Sequence, residues 1–202
     1  MRQDMAFTPG EVVSQRLLGH LLAGAFDAVV TVDPHLHRVA TLDEVLPGRR
    51  GVALSAAVLL GGHVARAVPG AMLLAPDEEA GQWVRAAARA HGLDHAVCHK
   101  QRHGDRDVEV ALPPARVAGR AVVLLDDVAS TGRTLVAAAR GALAQGAASV
   151  DVAVTHGLFI GNALAEVHAA GVRHVWSSDC VRHGSNAVSV VPLLAQALRS
   201  LG

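Results

Sequence analysis

Residues 122–134 read VVLLDDVASTGRT, and this stretch decides the fold. Four apolar residues in a row, without polar alternation, suit a strand buried on both faces, as in parallel sheets covered by helices. The strand delivers two adjacent carboxylates, Asp126 and Asp127. A small, hydroxyl-rich loop follows and opens a helix at about Gly132. Successive backbone N–H groups in such a loop converge on an anion, and the helix N-terminus adds partial positive charge. Ser130, Thr131 and Thr134 supply hydroxyl donors, Gly132 allows close backbone approach, and Arg133 adds positive charge. These features describe a pocket for a terminal phosphate. The two acids repel phosphate themselves; they suit a cis-diol or a divalent metal. Phosphate at one end and diol at the other describe ribose 5-phosphate. The plain alternative is a solvated turn before an ordinary helix, and the order strand, acid pair, anion loop speaks against it. The Gly-Lys-Ser/Thr ending of a P-loop is absent.

Outward from this stretch, short β-rich runs alternate with helical segments. Residues 27–33, 71–75, 95–99, 121–126, 150–155, 172–177 and 188–191 read as strands. Residues 55–68, with Ser55 able to cap them, 77–91, 132–145 and 192–201 read as helices. Asp77, Glu78 and Glu79 are read as the acidic first turn of the second of these, where they complement the macrodipole. Alternating strands and helices predict an α/β fold with a mainly parallel sheet. Such sheets bind ligands beyond the carboxyl ends of their strands. Polar clusters fall there: Asp33-Pro34-His35, Pro76-Asp77-Glu78-Glu79, His99-Lys100-Gln101-Arg102, the Asp126–Thr134 loop and Thr155-His156-Gly157.

The composition narrows the function. The chain has 202 residues, 51% of them apolar, which is enough to build a core. Lys+Arg and Asp+Glu both total 18, and aromatics make up 2%. A zero net charge and few aromatics argue against nucleic acid as a partner. Lys100 is the one lysine, which raises the question of whether its position needs an amine. Cys98 and Cys180 form no paired motif. No apolar run is long enough for a membrane span, and the N-terminal stretch has no secretory h-region, so a soluble, cytoplasmic protein is expected.

The loop DDVASTGRT resembles the PRPP-binding loop of type I phosphoribosyltransferases and of ribose-phosphate pyrophosphokinases (PRPP synthetases). Further segments resemble the synthetases: RQDM (2–5), VDPHLHR (32–38), APDEEAGQWV (75–84), HKQRHGDRDVEV (99–110), VTHGLF (154–159) and SVVPLLAQAL (189–198). The resemblance covers nearly the whole chain, in family order. It implies a phosphoribosyltransferase-like parallel sheet flanked by helices, over residues 52–202. Residues 1–51 would be the remnant of a second, similar N-terminal domain. The family's Arg-Gln-Asp stretch lies well inside that domain but begins here at residue 2, so a start placed too far downstream is expected. A separate fragment and a short homologue are the other readings.

The resemblance also implies roles. Lys100 and Arg102 would be catalytic, neutralising charge on the transferred phosphates; spaced by two in an extended segment, they share a side. The following Gly104 and its charged neighbours suit a flap. Asp126, Asp127, Ser130, Thr131, Gly132, Arg133 and Thr134 would bind ribose 5-phosphate. Arg2 and Gln3 would bind ATP, with a frayed terminus as the alternative. His35 and Asp77 would hold Mg²⁺, with the ribose as the other role open to Asp77, and His35 is a ligand by resemblance only, since Mg²⁺ prefers oxygen. His37 forms an HxH pair with His35, read as a polar strand end, and Cys98, His99 and His103 are read as structural or exposed. The implied activity transfers diphosphate from ATP to ribose 5-phosphate, with self-association into a homo-oligomer. Two alternatives stay open: a phosphoribosyltransferase using PRPP, and a non-catalytic regulatory homologue of the synthetase.

Overall fold

A computed structural model describes residues 3–36, 38–103, 107–111 and 117–201, with strands 99–103 and 107–111 described by their backbone. In chain order the elements are α1 (Ser14–Ala25), β1 (Ala28–Val32), a 3-10 turn (Leu42–Val45), β2 (Arg50–Leu54), α2 (Ala57–Ala67), β3 (Met72–Ala75), α3 (Gly81–His91) and β4 (Asp94–Val97). There follow β5 (His99–His103), β6 (Asp107–Ala111), β7 (Ala121–Ala129), α4 (Arg133–Ala144), β8 (Ser149–Gly157), α5 (Ala163–Ala169), β9 (Val172–Ser178), β10 (Asn186–Val188) and α6 (Val191–Leu201). The chain divides into two compact units, one of residues 1–55 with 190–202, the other of residues 56–189.

The larger unit is the expected parallel α/β sheet. Its six strands lie in the order β10-β9-β8-β7-β3-β4, and every neighbouring pair is parallel. Successive strand residues face opposite sides. Met72, Leu74, Val122 and Leu124 pack with Ala138, Ala139 and Val167 of α4 and α5. Leu73, Ala75, Val123 and Leu125 pack with Leu60, Val64, Val84 and Ala87 of α2 and α3. Both faces are thus covered, which explains why 122–125 reads as an unbroken apolar run. Each fully buried Leu contributes roughly 1.5–3 kcal/mol of transfer free energy. After β3 the chain moves outward to β4, and it then returns to the other side of β3 as β7. The adjacent carboxyl ends of β3 and β7 therefore form a topological switch point, where ligands bind in such sheets.

The smaller unit contains a two-stranded parallel sheet, with Ala28–Val32 in register with Arg50–Leu54. Leu42, Val45 and Leu46 form its buried cluster, with Leu22, Val29 and Leu36 against them. Among the described residues, no helix is long and apolar enough to cross a membrane.

Several expected boundaries are corrected. Strand β7 runs on through both acids to Ala129, because Val128 and Ala129 still pair with His156 and Gly157 of β8. Helix α3 begins at Gly81, so Asp77, Glu78 and Glu79 lie before it rather than in its first turn. Asp77 Oδ1 accepts the N–H of Ala80 and Gly81 N–H donates to the Glu78 carbonyl, which makes the segment a turn. The cap position of α2 is held by Ala56, one residue beyond Ser55. The last strand is Asn186–Val188, and Val191 already belongs to α6. Elements α1, β2, α5 and the β5–β6 hairpin go beyond the expected set.

Candidate active site

The carboxyl ends of β3 and β7 bring three acids together. Asp77 lies two residues past the end of β3, while Asp126 and the buried Asp127 lie within the last part of β7. Asp126 Oδ1 accepts the N–H of Asp127 at 2.9 Å. Burial, then the charges of Asp127 and Asp77, hold the Asp126 carboxyl well above the usual carboxylate range; the Asp127 N–H opposes this. A diol or a cation would relieve that crowding, since each supplies what a buried carboxylate lacks. Beside them, burial and the Asp77 charge push the Cys98 thiol up to about 12, so it stays protonated, as a structural cysteine should.

The loop after β7 is open toward solvent. Ser130 and Thr134 are half-buried, and Thr131 and Arg133 are exposed. Gly132 is buried and occupies the N-cap of α4 with φ +71°. A Cβ there would lie 3.1 Å from Val167 Cγ2 and 3.4 Å from the Ala163 carbonyl oxygen, so glycine is needed for both φ and space. Being glycine, this cap offers no side-chain acceptor to the first N–H groups of α4, which are the donors that an anion takes up.

Lys100 and Arg102 lie on β5, which begins two residues after β4 ends. Strand β5 pairs antiparallel with β6, placing Lys100 opposite Val110 and Arg102 opposite Val108. The two basic positions share one face of the hairpin, as their spacing implies. Strand β6 lies against α4, the helix that the anion loop opens.

Gln3, Asp33 and His35 lie in the smaller unit. Asp33 is buried at the carboxyl end of β1 with φ +41°, and its N–H donates to the Leu54 carbonyl at 2.8 Å. The carbonyl of His35 accepts from Gln15 Nε2 at 2.9 Å. Gln3 is engaged at the start of α1: its Oε1 accepts the Ser14 N–H and hydroxyl, and its Nε2 donates to the Val12 carbonyl. Arg2 and His37 lie outside the described residues. Among the described residues, no group of three or more His, Cys, Asp or Glu is arranged to hold a metal.

Behind the loop stands a segment with no counterpart among the expected site residues. Leu158 and Phe159 N–H both donate to the Ala129 carbonyl, and Ile160 N–H donates to that of Ser130. The signal available was VTHGLF (154–159), a polar strand end followed by two large apolar residues.

A model of the phosphoribosyl transferase domain family matches residues 57–193. The ribose-phosphate pyrophosphokinase of Methanopyrus kandleri is 36% identical over 203 residues, covering 99% of this chain and 68% of that protein. The enzyme of the same name from Methanosarcina acetivorans is 35% identical, covering 99% of this chain and 69% of that protein. The crystal structure of phosphoribosylpyrophosphate synthetase from Mycobacterium smegmatis superposes with a TM-score of 0.79 at 26% identity. It covers 99% of this chain and 67% of that one.

Proposed function

Because the chain belongs to the ribose-phosphate pyrophosphokinase family, we propose that it moves the diphosphoryl group of ATP onto the 1-hydroxyl of ribose 5-phosphate. The 1-oxygen forms a bond to the β-phosphorus of ATP, the bond between that phosphorus and the bridging α,β-oxygen breaks, and AMP leaves. The hydroxyl proton is lost and PRPP results. The observation that supports this best is the acid pair at the β3–β7 switch point, followed at once by an open anion loop.

Asp126 and Asp127 accept hydrogen bonds from the ribose hydroxyls. The N–H groups of residues 130–134, with the hydroxyls of Ser130, Thr131 and Thr134, hold the 5-phosphate, and Arg133 adds charge. Lys100 and Arg102 neutralise charge on the diphosphoryl group in flight, which is the main demand of such a transfer. ATP binding by Arg2 and Gln3 rests on the family resemblance of residues 2–5. By the same resemblance Asp77 would hold Mg²⁺, a hard cation that its carboxylate oxygens suit chemically; among the described residues no group of three or more such ligands is arranged to hold a metal. Bound there, it would neutralise phosphate charge and orient the substrates. His35, in the smaller unit, is a metal ligand by the resemblance alone. By the same resemblance, the chain self-associates and works in the cytoplasm.

The test is to incubate the chain with ribose 5-phosphate, Mg²⁺ and ATP, and to assay AMP and PRPP, with Lys100→Ala as control. Equimolar AMP and PRPP, lost in Lys100→Ala, is the expected result. Pyrophosphate release from PRPP in the presence of a nucleobase, without ATP, would point instead to a phosphoribosyltransferase. Ligand binding without turnover would point to a non-catalytic homologue.

A further inference from the structure

Two non-glycine residues among those described have a positive φ, Asp33 and Phe159. Both lie just beyond the carboxyl end of a parallel strand, where ligands bind. Asp tolerates that conformation; a bulky aromatic rarely adopts it, and does so where surrounding structure enforces it. Phe159 has φ +39° and is 7% exposed, while its neighbours Leu158 and Ile160 are 45% and 62% exposed. The ring therefore goes in and the flanking side chains stay out.

What the ring meets is a hydrogen-bonded network. It packs on the His183 imidazole with centroids 5.1 Å apart. His183 Nδ1 accepts from the Ser185 N–H at 3.2 Å and lies 2.7 Å from the Ser185 hydroxyl. The Ser185 hydroxyl lies 2.8 Å from that of Ser177. Asn186 Nδ2 donates to Ser177 Oγ and to the Ser178 and Val181 carbonyls, and its Oδ1 accepts the His183 N–H. On the near side, a Cβ at Gly157 would lie 3.1 Å from both the Phe159 ring and Ser177 Cβ, so a side chain there would crowd the ring's seat.

The strained backbone in turn holds the anion loop. The N–H groups of Leu158 and Phe159 converge on the Ala129 carbonyl at 3.0 and 2.9 Å, and Ile160 N–H reaches the Ser130 carbonyl at 3.0 Å. These two carbonyls belong to the residues that join β7 to the loop. We propose that Phe159, wedged between Gly157 and the His183–Ser185–Ser177–Asn186 network, is a positioning residue. It fixes residues 129–134 in the shape that receives the sugar phosphate. The ligand assignment rests on the function proposed above; the mechanical claim about the loop does not.

Two measurements test it together: amide hydrogen exchange of residues 130–136, and calorimetric titration with ribose 5-phosphate and, separately, ATP. Phe159→Ala keeps the backbone strain and loses the wedge, so loop exchange should quicken about tenfold and ribose 5-phosphate binding weaken about tenfold, with ATP affinity changed less than about twofold. Phe159→Gly loses wedge and strain together and should fall between Phe159→Ala and the parent. Phe159→Leu, which refills the seat, should recover most of both losses. His183→Ala, which leaves Phe159 in place, should show about a threefold effect and serves if Phe159→Ala fails to fold. Unchanged exchange and unchanged affinity in a folded Phe159→Gly or His183→Ala would overturn the proposal. If the parent binds no ribose 5-phosphate, the proposed function fails, while the exchange data still decide whether the wedge sets the loop.

Discussion

Strand β3 of the larger unit and strand β1 of the smaller carry similar apolar sequences, MLLA and AVVTV, and both run parallel to their partners. All four residues of β3 are buried, but all five of β1 are only half-buried. The strand sequences do not account for this; their neighbours do. Strand β3 has β4 and β7 on its sides and helices on both faces, whereas β1 pairs with β2 in a two-stranded sheet. Burial in turn makes chemistry. The acids at the end of β7 sit in a low dielectric and repel one another, which fits them for a ligand that satisfies them.

Core truncations should show the largest difference between the two strands. Leu124→Ala, at the centre of the six-stranded sheet, should cost about 3–4 kcal/mol, and Val30→Ala in β1 about 1 kcal/mol or less. Urea unfolding followed by far-ultraviolet circular dichroism would measure both; equal losses would break the comparison. Next comes Asp151, fully buried in β8. A register shift sets Arg173 and His174 together opposite it, and its carboxylate accepts from Arg173 Nη2 at 2.6 Å and from the His174 N–H at 3.1 Å. Asp151→Ala should cost about 2 kcal/mol in the same assay. A loss within ~0.5 kcal/mol would show that the bulge does not depend on this hub.

Asp126 supplies a smaller effect of opposite sign. Its pKa is raised in the folded state, so its contribution is fully present below the unfolded carboxyl value, where both states are protonated. That contribution is lost as pH rises from the ordinary carboxyl range through the raised value. Asp126→Asn should therefore raise Tm at neutral pH and flatten the decline above pH ~4. An unchanged profile would contradict the crowding of the three acids. The smallest effect belongs to the surface pair Arg120–Asp94, at 2.8 Å with Asp94 largely exposed. Asp94→Asn should shift stability by less than ~0.5 kcal/mol, and less again in high salt.

Much of this was legible in the sequence because it depends on local order. The unbroken VVLL run before Asp126 signals a strand covered on both faces, and the small residues after it signal an anion loop. What was not legible depends on distant partners. Strand β7 outruns its acids because β8 continues to pair with it, and the β5–β6 hairpin joins residues with few strand-favouring side chains except Val108 and Val110. Phe159 and His183 meet across 24 positions, through a turn that no local pattern marks. Helix α1 is a different case: Leu17, Leu18, Leu21 and Leu22 stand at helical spacing. That spacing marks a helix in the sequence itself.

The most direct test of the central claim is calorimetric titration of ribose 5-phosphate into the parent chain and Asp126→Asn, with Mg²⁺ present. The account predicts saturable binding by the parent and a loss of about a hundredfold or more in Asp126→Asn, alongside its raised Tm. Equal affinity in the two proteins would contradict the claim that the acids at the end of β7 hold the sugar.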